Sequence, residues 1–206
     1  MDAEDTRRPG ARGPRRKLVT SDVVHAAARW IQEGKRLDMQ ALAAELGVTR
    51  MTLHRYIGGR EQLIGEALWH LVSTAWRLCT AEEDARRGPG DRELRSVRII
   101  GAYNARVVHS RPLRRLFDTE PELSLRVLTD PEGAIQPRTV QVTIDLIASD
   151  ESAGRLRPII DRHDLAYALV KLAEAFLFGD LAAGRPVALD EANKVQTALL
   201  EAGRLE

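Results

Sequence analysis

Residues 38–60 read DMQALAAELGVTRMTLHRYIGGR, and the organisation of the whole chain follows from this stretch. Asp38 is a good N-cap, and Met39, Leu42, Ala43 and Leu46 repeat at helical spacing, which predicts a first helix about two turns long. Gly47 ends it, because glycine accepts the left-handed backbone that a sharp turn requires. Thr49 then caps a second helix through Arg50, Met51, Thr52, Leu53, His54, Arg55 and Tyr56. Val48 and Leu53 can pack back on Leu42 and Leu46, so the pair forms a helix-turn-helix.

The outward residues of the second helix are cationic or hydrogen-bonding. Arg50, Thr52, His54, Arg55 and Tyr56 suit base edges or phosphates, whereas Leu53 and one face of Met51 suit a core. Charge is distributed to match. Residues 1–60 hold 12 Lys/Arg and 7 Asp/Glu, while the remainder holds 19 and 23, so a net charge of +1 conceals a basic end and an acidic end. Such asymmetry fits one end meeting a polyanion.

From Thr20 to Leu71 the chain resembles the DNA-binding signature of the tetracycline-repressor (TetR) family of bacterial transcription regulators. Leu42-Ala43 is similar to the family's Ile-Ala before the turn, Gly47-Val48-Thr49 to its Gly-Val-Ser, and Arg60-Glu61-Gln62-Leu63-Ile64 to its Lys-Glu-x-Leu-Leu. Four positions depart from the pattern. His54 replaces a phosphate-contacting tyrosine, Tyr56-Ile57 replaces His-Phe, Gln40 stands where arginine is common, and Arg60 where lysine is. The resemblance implies an all-α fold, with an N-terminal three-helix helix-turn-helix domain and a C-terminal helical domain for ligand binding and dimerisation. The expected limits are a basic arm at 1–17, the DNA-binding domain at 18–64 and the larger domain at 65–206. The expected contacts with a double-stranded operator are Arg15, Arg16, Lys17, Gln40, Thr49, Arg50, Met51, Thr52, His54, Arg55, Tyr56 and Arg60.

Composition bounds the function classes. A chain of 206 residues with 44% apolar and 30% charged residues is a globular protein with ample material for a core. Its one cysteine, Cys79, cannot form an internal disulfide, which fits a reducing cytoplasm. No apolar run approaches membrane-spanning length, and the basic N-terminus lacks the apolar segment of a signal peptide, so a cytoplasmic location without membrane association is expected. Residues 1–17 combine prolines and glycines with six cations and no apolar periodicity, which reads either as a solvated tail or as an arm along the phosphates.

Helical periodicity continues on both sides. Thr20 or Ser21 is expected to cap a helix with Val23, Val24, Ala27, Trp30 and Ile31 on one face, stopped by Gly34. A long helix follows from Arg60 and breaks at Gly88-Pro89-Gly90, after which Asp91 is expected to cap a helix to about His109. Short helices near 113–117 and 121–129, one from Pro137, a long one from about Asp161 to Gly179 and a last one from Asp190 to Leu200 complete an all-helical chain without repeats. In the long helix Leu165, Leu169, Leu172 and Phe176 form an apolar stripe, with Lys171 and Glu174 opposite. In the last helix Ala192, Val195, Leu199 and Leu200 face inward.

So broad an apolar surface on the last two helices points to a homodimer, and the family resemblance places the dimer interface there. The resemblance also implies a small-molecule pocket within the C-terminal domain. Candidate lining residues are Trp76, Tyr103, Asn104, Val108, Phe117, Ile144, Leu169, Ala173 and Phe176, where Asn104 is either a ligand contact or a satisfied core amide. The stretch Ala166–Gly184 further resembles regulators of quorum-signal (lactone) degradation within the family. The five histidines lack metal-ligand spacing, and neither G-x-S-x-G nor a phosphate loop occurs, so no enzyme, cofactor, metal site or catalytic residue is expected. The expectation is a ligand-responsive regulator, most simply a repressor released from a palindromic operator by an apolar or amphipathic effector. The alternative is a regulator whose C-terminal domain only dimerises or answers a protein partner.

Overall fold

The computed structural model describes residues 18–88 and 90–205, and among them every extended element is helical. The chain order is α1 (Thr20–Gln32), α2 (Met39–Glu45), α3 (Arg50–Ile57), α4 (Arg60–Arg86), α5 (Arg95–Val108), α6 (Arg111–Thr119), α7 (Pro121–Thr129), α8 (Gln136–Ser152), α9 (Arg162–Ala173), a π-helical turn (Glu174–Phe178), α10 (Gly179–Ala182) and α11 (Leu189–Glu201). A single isolated bridge, Leu156 to Arg204, is the nearest approach to β-structure among the described residues.

The helix-turn-helix forms as its residues dictate. Asp38 accepts from Ala41 N at 2.7 Å, Thr49 accepts from Thr52 N at 3.1 Å, and Gly47 sits between the helices at φ 66°. Leu42 and Leu53 are fully buried, each contributing about 1.5–3 kcal/mol by leaving water. Trp30 is a core residue whose indole N–H donates to Glu45 at 2.8 Å, fastening α1 to α2. The α1 cap differs from expectation. Thr20 already lies in the helix, Val19 is the N-cap, and Asp22 reaches back to accept from Val19 N at 3.1 Å.

Helix α4 runs without interruption across the expected boundary at residues 64 and 65, packing on α1 near its start and on α5 further along. Three arginine–carboxylate pairs fasten its N-terminal half to the rest: Arg60 with Glu120, Arg126 with Glu61, and Arg138 with Glu66. Helix α5 is not capped by Asp91. Its N-cap is Leu94, and the carboxylate of Asp150, from α8, accepts from Arg95 N at 3.0 Å and Ser96 N at 2.8 Å. A sequence-distant residue thus satisfies the orphan donors of the first turn.

The long helix after Asp161 departs most from simple periodicity. Asp161 caps it through His163 N and Asp164 N, but at Glu174 the backbone widens into a π-turn that holds one residue more than an α-turn. Glu174, expected on the polar face, is turned into the interior at 8% exposure. Leu177 is buried beyond it, while Leu172 and Phe176 are only half-buried. In α11 the inward residues are Ala192, Gln196 and Leu200, whereas Val195 faces outward and Leu199 is half-buried.

Candidate nucleic-acid interface and interior cavity

Helix α3 presents an open face. Gln40, Thr49, Arg50, Met51, His54 and Arg55 are exposed, and Thr52 and Tyr56 are half-buried at its edge. Arg50, His54 and Arg55 make no hydrogen bond or ion pair within the described residues, so their donors point to solvent. Met51, expected to turn one face inward, is 83% exposed at the first turn of α3. Exposing a large apolar side chain among cations is unusual in a monomer but suits contact with a thymine methyl group. The Thr52 hydroxyl lies 2.9 Å from that of Thr49.

Arg60 is a correction to the expected contact surface. Its guanidinium is held inside, donating to both Glu120 oxygens at 2.8 and 2.6 Å and to Leu37 O at 2.7 Å. The Arg60 pairing holds the Glu120 carboxyl below its ordinary value, against the opposing effect of burial and with help from nearby Arg36. Arg60 therefore joins the helix-turn-helix to the α6–α7 junction. Arg15, Arg16 and Lys17 lie outside the described residues.

A second feature is a cavity of about 40 Å³ enclosed by α4, α5, α8, α9 and the π-turn. Of the expected lining residues, Trp76, Tyr103, Asn104, Leu169 and Ala173 border it, whereas Val108, Phe117, Ile144 and Phe176 do not. Phe117 packs instead on Phe178, with ring centroids 6.1 Å apart, and it is Phe178 that reaches the cavity. Trp76 and Tyr103 stack with centroids 3.9 Å apart, and burial pushes the Tyr103 phenol up.

Asn104 takes the core role. Its amide donates to Asn193 Oδ1 at 2.8 Å and Gln196 Oε1 at 2.7 Å, and Gln196 donates onward to Leu169 O at 2.8 Å. The polar groups the sequence did not nominate are Gln136 and Glu174. Lys171 binds Glu174 Oε2 at 2.7 Å, while Gln136 Nε2, Glu174 Oε1 and Trp76 Nε1 are buried without a protein partner in hydrogen-bond geometry. Burial raises the Glu174 carboxyl, and Lys171 opposes that rise. A 3.6-residue repeat assigns Glu174 to the surface, so only the π-turn explains its position.

An adjoining void of about 100 Å³ shares Tyr103, Val107, Leu128 and Phe178 with the cavity and extends to Ile31 of α1 and Leu113 of α6. The interior thus communicates with the helix-turn-helix through α6. There the Arg115 guanidinium packs on Gly34 and donates weakly to Glu33 O at 3.5 Å.

An exposed recognition-type helix on an all-α scaffold defines a helix-turn-helix DNA-binding protein. Residues 93–201, more than half of the chain, match the family model described as the tetracyclin repressor-like C-terminal domain. The chain belongs to the TetR family of transcription regulators, which are DNA-binding proteins and not enzymes. Among solved structures it is similar to the transcriptional repressor QsdR of R. erythropolis, from the TetR family, with 26% identity and a TM-score of 0.78 over 91% of this chain and 96% of that one. A TetR regulator from Haloarcula marismortui gives 15% identity and a TM-score of 0.57 over 90% and 98% of the two chains. A putative TetR-family regulator from Rhodococcus sp. gives 15% and 0.53 over 87% and 94%. The latter two likenesses speak to the fold. No curated protein sequence matches significantly. Among the described residues no helix is long and apolar enough to cross a membrane.

Proposed function

We propose that the protein is a homodimeric repressor that binds a two-fold symmetric operator and leaves it when a small apolar or amphipathic effector occupies the interior cavity. The observation that carries the DNA half is the exposed α3 face, where Arg50, Met51, His54 and Arg55 stand unengaged on a short helix braced by α1 and α2. Residues 18–64 form the DNA-binding unit in this reading, with the arm at 1–17 adding phosphate contacts. Residues 65–206 hold the effector and the partner subunit. Repression is supported by the 26% identity to the repressor QsdR. One helix-turn-helix reads few base pairs, so two copies spaced one helical turn apart are needed for tight binding.

The effector acts by favouring one of two dimer states. A ligand larger than the closed cavity must displace Phe178 or Tyr103, and both border the void that leads to α6 and α1. Moving α6 against α1 changes the spacing of the two recognition helices, and the ligand stabilises that wrongly spaced state in proportion to its differential affinity. The volume of about 40 Å³, against the several hundred typical of ligand sites, favours a second reading in which the C-terminal bundle only dimerises.

Replacing Arg50 or Thr52 with Ala tests the DNA half. Each change should weaken binding to a selected operator duplex by roughly 1–3 kcal/mol and relax base preference at one position of each half-site, as measured by fluorescence anisotropy. Unchanged affinity and preference in both variants would remove α3 as the reading helix.

A further inference from the structure

Three buried polar atoms border the cavity without a protein partner: two donors, Gln136 Nε2 and Trp76 Nε1, and one acceptor, Glu174 Oε1. Gln136 is 3% exposed, Trp76 4% and Glu174 8%, so bulk water does not compensate them, and an unmade buried hydrogen bond is costly. The π-turn is what brings Glu174 there, and such turns recur at functional sites. Lys171 pairs with Oε2, which neutralises the carboxylate locally and leaves Oε1 for another donor.

Resting on the effector reading above, we infer that the cavity takes a neutral amphiphile whose polar end is a secondary amide. The amide carbonyl has two lone pairs for the two donors, and its single N–H meets Glu174 Oε1. The remaining wall is apolar, with Ile100, Val107, Leu128, Leu169 and Phe178, and it accommodates an alkyl or aryl body once Phe178 moves toward the adjoining void. A carboxylate head would face Glu174 directly. An ammonium head would leave both donors unmatched and meet a carboxylate already neutralised by Lys171.

The test compares two probes that differ by one atom, N-methyloctanamide and methyl octanoate, the ester lacking the N–H. Titrations of the wild-type protein, read by calorimetry and by the Trp76 indole N–H resonance assigned with Trp76→Phe, should show the amide binding at least about tenfold more tightly, because a site built for a donor rejects the analogue without it. The indole resonance should move downfield with the amide. In Glu174→Met, which keeps length and apolar bulk, the amide should lose its advantage while the ester still binds, which also shows the variant is folded. Equal affinity of the two probes for wild type would overturn the amide assignment and leave the effector cavity standing. Failure of both probes to bind wild type at millimolar concentration would overturn the assignment and the effector reading together.

Discussion

Asp150 shows how much a single residue carries. It is 1% exposed and caps α5 from a helix more than fifty positions away, so its removal leaves Arg95 N and Ser96 N without their acceptor. Asp150→Ala should cost about 1–3 kcal/mol in urea unfolding, whereas Asp91→Ala should cost much less. Equal losses would return the cap to Asp91. Glu120 gives a pH signature. Arg60 lowers its carboxyl in the folded state relative to the ordinary value of 4.5, so the pair adds stability that is complete above that value and is lost as pH falls through the lower folded value. Glu120→Gln should therefore flatten the acid limb of stability against pH and loosen α6–α7 from α4. An unchanged acid limb would mean the pair contributes nothing. Asp38, Gly47 and Thr49 were legible because caps and left-handed turns are local chemistry. Asp150, Arg60 and Glu120 were not, because their partners are set by folding across long sequence separation.

At the level of elements, periodicity located each helix to within a few residues, since amphipathic stripes repeat at 3.6 residues wherever the helix is α. It failed where the helix is not α. The widened turn at Glu174–Phe178 shifts the register by about one residue, so Leu177 and Phe178 replace Phe176 at the cavity and Glu174 enters it. Five of the nine expected cavity residues border it because they sit on helices that converge there. The two polar members that matter were hidden, Gln136 at a helix start and Glu174 by the π-turn. The same register decides which leucines can join subunits. Leu169 is 1% exposed and internal, while Leu172 and Leu199 are half-buried on the outer side of the last two long helices. Leu169→Glu should unfold the chain, since a charge there has no partner, and Leu172→Glu or Leu199→Glu should give a folded monomer by light scattering and circular dichroism. A dimer persisting in both of the latter would move the interface elsewhere.

For the molecule as a whole, the uneven charge distribution and the exposed α3 face fit a basic end that meets DNA, with the other end free for a partner subunit and a ligand. Family membership supports DNA binding. Symmetry, operator and effector response are what the proposed function adds. Selection of bound sequences from a random duplex library tests the central claim most directly, because it assumes no operator in advance. The account predicts enrichment of an inverted repeat whose half-sites are about one helical turn apart, with base preference at the half-site centres reduced for Arg50→Ala. Recovery of no enriched motif, or of an asymmetric single site insensitive to Arg50→Ala, would contradict it.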